Sequence, residues 1–111
     1  MLSDIQFEFL KDVSKLINYC IAHNIKITAG ELYRTEYQQA EYLKTGKSKT
    51  NNSYHLKRLA IDLNFFIDGQ LTTDIKKIQN IGMFFEGLNP KNKAGMFFKT
   101  FYDPGHFERQ I

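Results

Sequence analysis

The side chains best suited to chemistry stand in two separate stretches of the chain. In SYHLKRLAID, residues 53–62, His55 and Asp62 lie seven positions apart, and in YDPGHFE, residues 102–108, Asp103 and His106 flank a Pro-Gly pair. Pro-Gly folds a chain sharply and turns the flanking side chains toward one point. His55, Asp62 and His106 would together offer two neutral imidazoles and one carboxylate, a donor set suited to zinc. Three protein ligands leave the fourth tetrahedral position for water, as hydrolytic zinc sites require. Zinc so held lowers the pKa of water toward neutrality.

Hydrolysis also needs a carboxylate that stands near the metal without holding it, to take a proton from water and pass it to the leaving amine. Asp103 is the candidate, because its offset from His106 across a turn lets it face the water while the histidine faces the metal. Glu108 follows His106 by two on an expected strand and would share its face. It is therefore the candidate to orient an imidazole.

These segments resemble the M15 family of zinc peptidases: Ser53-x-His55 with Ala60-Ile61-Asp62-Leu63, then Asp103-Pro-Gly-His106-Phe-Glu. GELYRTEYQQA, with Arg34 and Gln38, is similar to a further family segment, and the order of matching segments is continuous from about Gly30 to Glu108. The family includes D-alanyl-D-alanine carboxypeptidases and the L-alanyl-D-glutamate endopeptidases of phage endolysins, which hydrolyse peptidoglycan stem peptides. The resemblance implies a small hedgehog-like α+β fold and zinc on His55, Asp62 and His106. It also implies Asp103 as general base and acid, Arg34 lining the cleft to stabilise charge on the scissile carbonyl, and Ser53 supporting the first histidine. The sequence departs from the family at Arg58, where many members have glycine, and at Gly95-Met96-Phe97, where many carry a tryptophan-glycine segment. Its wording is closest to phage or prophage members.

The elements that must position these residues are legible in the hydrophobic spacing. Ile5, Phe9, Val13, Leu16 and Cys20 recur at helical intervals, with Ser3 and Gln6 as a capping box and a stop near His23 and Asn24. IKITAG is β-branched and strand-like. Thr35 and Gln38 repeat the capping pattern before a second helix over Glu36 to Lys44. AIDLNFFIDGQL has apolar runs on both sides of Asp68-Gly69, a hairpin signature that places Asp62 on a strand. Ile75, Ile78, Gly82 and Phe85 mark a third helix, stopped by Gly87. The tail from Met96 reads as two extended pieces around a turn, and Pro90 and Pro104 fall in turns. Without regular β-helix-β alternation, this order predicts an α+β fold with helices on an antiparallel sheet.

The remaining composition narrows the function classes. A chain of 111 residues, 42% hydrophobic and 14% aromatic, is expected to form one domain around one core, over residues 1–111. The Phe pairs at 65–66, 84–85 and 97–98 are core candidates, with one member of a strand pair at the cleft. Cys20, the one cysteine, is expected to be a buried free thiol. A net charge of +3 without a dense basic stripe gives no support to nucleic-acid binding. The cluster Lys44, Lys47 and Lys49 lacks the glycine-rich loop of a nucleotide site and reads as a solvated loop. His23 reads as a partner for a helix C-terminus. No stretch is long and apolar enough for membrane insertion, and the start lacks a secretory pattern. The expectation is therefore cytoplasmic synthesis, with the wall reached after release. The rival reading is a non-catalytic domain that keeps zinc and uses the cleft to bind wall peptides or a protein partner.

Overall fold

The computed structural model describes residues 1–47 and 53–111. Lys49 of the lysine cluster, and residues 48–52 of the expected polar loop, lie outside the described residues. The elements run α1 (Leu2–Ala22), β1 (Lys26–Ala29), α2 (Glu36–Lys44), a 3-10 turn (Tyr54–Lys57), β2 (Ala60–Ile67), β3 (Gln70–Thr72), α3 (Ile75–Leu88), β4 (Asn92–Ala94), a second 3-10 turn (Gly95–Phe97) and β5 (His106–Arg109). The strands form one antiparallel sheet in the order β1-β2-β5-β4, with β3 also on β2. This is the α+β fold expected, with helices packed on an antiparallel sheet. Among the described residues no helix is long and apolar enough to cross a membrane.

The period-2 alternation of strands decides which face carries chemistry. On β2, Ile61, Leu63 and Phe65 are buried in the core, and on β5 so is Phe107. Asp62, His106 and Glu108 therefore fall on the opposite face. The core face is covered by α1, through Phe9, Val13, Leu16 and Cys20, and by α3, through Ile78, Ile81 and Phe85. Edge-to-face contacts link Phe9 to Phe85, Phe85 to Phe107 and Phe107 to Phe65, with centroids 6.3, 5.2 and 5.9 Å apart. Each such pair contributes about 0.5–1.5 kcal/mol beyond burial of its rings. Cys20 is fully buried, and burial pushes its thiol pKa up to about 11.

A buried polar clamp fixes the end of β5 to α1. The Arg109 guanidinium donates to Asp12 and to the Asn92 side-chain carbonyl, and reaches Glu8 at 3.4 Å. Asn92 Nδ2 in turn donates to Asp12 and to the Phe85 carbonyl, each at 3.0 Å. Every strong donor and acceptor of the cluster thus has a partner, as a buried charge requires.

Several local expectations hold in detail. Helix α2 begins at Thr35, whose hydroxyl accepts from Gln38 N at 3.1 Å. Asp68 and Gly69 both take positive φ, 54° and 79°, as a two-residue turn between β2 and β3 demands. Asn24 ends the first helical region with φ 58°. His23 Nδ1 lies 2.8 Å from the Tyr19 carbonyl at the C-terminus of α1.

Three expectations are corrected. Helix α1 starts at Leu2 with Met1 as its cap and no side-chain capping bond, so Ser3 lies inside the helix. Gln6 is drawn into a tertiary bond instead, donating to the Lys57 carbonyl at 2.8 Å. Helix α3 passes through Gly87 to Leu88 and ends at an extended Asn89, so Gly87 is not its stop. The tail's first piece is not extended: Met96 and Phe97 lie in the second 3-10 turn, and the strand preceding it is β4. Packing explains this turn, because a Cβ on Gly82 would sit 2.6 Å from Met96 Sδ and 2.8 Å from a Phe97 ring carbon. Glycine on α3 leaves room for these two side chains to pack as they do.

Candidate metal centre

His55 is placed by the first 3-10 turn. Ser53 caps it, its Oγ accepting from His55 N at 3.2 Å. The ring is 1% exposed, and its Nδ1 lies 3.0 Å from the Leu32 carbonyl. A carbonyl only accepts, so Nδ1 carries the proton and, in the neutral ring, Nε2 presents a lone pair. Nε2 lies 3.2 Å from Asp62 Oδ1 yet lacks hydrogen-bond geometry, and among the described residues it is a buried polar atom without a hydrogen-bond partner. The chain after this turn enters β2 through Arg58, which holds φ 56°, in the left-handed region that favours glycine, and stacks its guanidinium 4.2 Å from the Tyr33 ring centroid.

Asp62 and His106 face each other across the β2–β5 register. His106 Nδ1 lies 3.3 Å from Asp62 Oδ1, and its Nε2 lies 2.6 Å from Glu108 Oε1. Glu108 therefore lies on the far side of the ring and leaves Nδ1 toward His55 and Asp62, the position expected from its place on the strand. Phe98 packs against this imidazole with centroids 5.8 Å apart. One atom from each of His55, Asp62 and His106 falls within a 4.8 Å circle of the others. A buried imidazole nitrogen lacking a hydrogen-bond partner, beside a second imidazole and a carboxylate, fits a divalent metal.

The electrostatics agree with that donor set. Burial raises the Asp62 pKa, but the hydrogen bond with His106 and the nearness of the two imidazoles outweigh it and hold the carboxyl well below the usual carboxylate range. Burial lowers the His106 pKa, and the hydrogen bonds to Asp62 and Glu108 outweigh it, lifting the ring from 6.5 to about 9. In the metal-free protein this raised pKa gives stability that is fully present below about 6.5 and lost as pH rises through about 9. A proton on His106 also competes with metal. Metal affinity should therefore strengthen as pH rises through the same interval, by up to about tenfold per unit per proton displaced. Denaturant titrations of the metal-free protein and metal titrations, both across that interval, should show opposite trends.

Asp103 stands beside this group and outside it. Its backbone N donates to the Gly95 carbonyl and its own carbonyl accepts from His106 N, both at 3.1 Å, which sets the Pro104-Gly105 turn. Gly95 lies so close that a Cβ there would sit 2.2 Å from the Asp103 carbonyl oxygen. The carboxylate is 44% exposed, with Oδ2 3.9 Å from His106 Nδ1. Burial raises its pKa most, with His106 pulling the other way and Asp62 adding to the rise.

Arg34 is 9% exposed and belongs to the support of the His55 turn. Its backbone N donates to the His55 carbonyl at 3.3 Å. Its guanidinium donates from Nε to Glu31, and from Nη1 to Gln39 Oε1 at 2.6 Å and Ser53 Oγ at 3.4 Å. Tyr42 lies under it at 4.6 Å and donates its own hydroxyl to Glu31 at 3.0 Å. Glu31 and Gln39 were not evident as site residues in the sequence. Glu31 at three positions before Arg34 was the available signal, whereas Gln39 was masked by its neighbour Gln38 in the capping pattern.

If Glu108 orients His106, Glu108→Ala should weaken metal binding by roughly 10- to 100-fold while leaving the ligands in place. A zinc titration against a competing chelator measures this directly. Unchanged affinity would remove Glu108 from the centre.

The sequence matches no protein-family model and no curated protein. The fold is similar to the crystal structure of the Serratia marcescens L-Ala D-Glu endopeptidase ChiX, with a TM-score of 0.75 at 20% identity, covering 93% of this chain and 78% of that one. The likeness is one of fold.

Proposed function

We propose that this protein is a zinc-dependent peptidase of the M15 type that hydrolyses peptide bonds in peptidoglycan stem peptides. The observation that carries the reading is the buried His55 Nε2, without a hydrogen-bond partner among the described residues, beside Asp62 and His106, with Asp103 just outside the three. Fold likeness to an L-Ala D-Glu endopeptidase supports the substrate class, and the matching segments from Gly30 to Glu108 support the residue roles.

His55, Asp62 and His106 would hold the metal. Zinc there supplies a Lewis acid for the scissile carbonyl and acidifies water to near neutrality. Asp103 takes the proton from the attacking water and returns it to the departing amine, a task suited to a carboxyl whose proton affinity is already raised. Glu108 keeps His106 Nδ1 directed at the centre. Arg34 is the donor assigned to the charge developing on the carbonyl oxygen, its plane fixed by Glu31, Gln39 and Ser53.

Peptidoglycan incubated with zinc-loaded protein tests this through the ends it releases. Endopeptidase action yields new glutamate amino termini without free D-alanine, and carboxypeptidase action yields free D-alanine. Neither product, with intact wall peptides bound, would favour the non-catalytic binding domain.

A further inference from the structure

Strand β2 changes partner along one edge. Ala60–Asp62 pair with β5 and Phe65–Ile67 pair with β3, while Leu63 N donates to the Gly105 carbonyl at 2.8 Å. The two partner segments diverge there and leave a cleft of about 280 Å³. Its floor is Asp62 to Phe65, one wall is Leu71 to Thr73, and the other is Asp103 to Gly105. The Tyr102 hydroxyl donates to the Thr73 carbonyl, so the residue before Asp103 ties one wall to the other. The fork thus begins at a metal-ligand candidate and the candidate base, and it is strapped across its two sides.

The charges lining this fork are of one sign. Asp62 and Asp103 are its ionisable residues, Asn64, Thr72 and Thr73 its neutral polar ones, and among the described residues no Lys or Arg lines it. Arg34 acts on Asp103 electrostatically but has Glu31 as its ion-pair partner on the His55 side. Two carboxylates would also offset the charge of a bound divalent metal. Past the metal, whose charge they offset, a substrate carboxylate entering the fork would lose water without gaining a cationic side chain. A primary amide or an ammonium group meets hydrogen-bonding groups and carboxylates instead.

Resting on the peptidase reading, we propose that this fork is the pocket for the residue beside the scissile bond, and that it selects an amide- or amine-bearing residue over one with a free carboxylate. Asn64 is its specificity-determining residue: it is exposed on the pocket floor, and its Nδ2 donates to Thr28 Oγ1 at 3.2 Å. The substrate class that follows is a stem peptide amidated next to the cleaved bond, and a chain-terminal carboxylate at that position is disfavoured.

Two stem peptides that differ only in a carboxylate or a primary amide on that residue test the proposal with the zinc-loaded protein. The wild type should favour the amide in kcat/KM by at least roughly tenfold. Asn64→Lys, an exposed change, should erase or reverse the ratio, raising KM for the amide peptide and lowering it for the carboxylate peptide. A wild-type preference for the carboxylate, or a ratio unmoved by Asn64→Lys, would overturn it. If neither peptide is cut, the peptidase reading fails on its own, and amide-shift titrations with the same two peptides decide the pocket. Tighter binding of the amide peptide at Asn64 and Thr73 would uphold it, and equal or absent shifts there would overturn it.

Discussion

Asp103→Ala should lower turnover on stem peptides by roughly 10²- to 10⁴-fold, the range that a positioned general acid–base group contributes. Zinc should still bind, because Asp103 is not one of the three converging donors and lies 3.9 Å from the nearer imidazole nitrogen. The fold should also persist, since the contacts that set the turn are made by the Asp103 backbone. The decisive combination is therefore unchanged zinc stoichiometry and thermal stability with turnover lost. Near-normal turnover would place the base elsewhere. Glu108 is a poor substitute, because its carboxylate is already engaged with His106 Nε2 at 2.6 Å.

The largest stability effect should come from the other face of β5. Asp12→Ala leaves the Arg109 guanidinium, in a residue only 4% exposed, without its principal counter-charge, Glu8 being an exposed partner at 3.4 Å. Breaking a buried pair from one side costs about 3–5 kcal/mol. Replacing both members together, as Asp12→Leu with Arg109→Met, should recover much of that loss, because no charge is then stranded. Urea unfolding of the three proteins measures the difference. A loss below about 1 kcal/mol for Asp12→Ala would mean that the clamp behaves like a surface ion pair. The effect should reach the centre too, since His106 and Glu108 share β5 with Arg109.

The pattern of success in reading the sequence follows the range of the forces involved. Asp62 and His106 were legible because a strand alternates faces, so burying Ile61 and Phe107 sends both candidate ligands outward together. Asp68-Gly69 and Thr35 were legible because turn and cap chemistry is local. Gln6 was misread because a long-range bond to the Lys57 carbonyl replaced the local one. The 3-10 turn at Gly95–Phe97 packs its Met96 and Phe97 side chains against Gly82 on α3, a contact distant in sequence that no local pattern reports. At the centre, the Leu32 carbonyl that sets the His55 ring leaves no trace in sequence, because every residue has a carbonyl. Arg34 was singled out through resemblance, while its anchors Glu31 and Gln39 became evident only from the fold.

The most direct test is mass spectrometry of purified muropeptides after incubation with zinc-loaded protein, with a chelator-stripped sample, a zinc-restored sample and His106→Ala beside it. Cleavage at one stem-peptide bond by the loaded and restored samples, and by neither of the others, is the expected result. One zinc bound per chain with every muropeptide intact would contradict the hydrolytic reading and leave a metal-containing binding domain in its place.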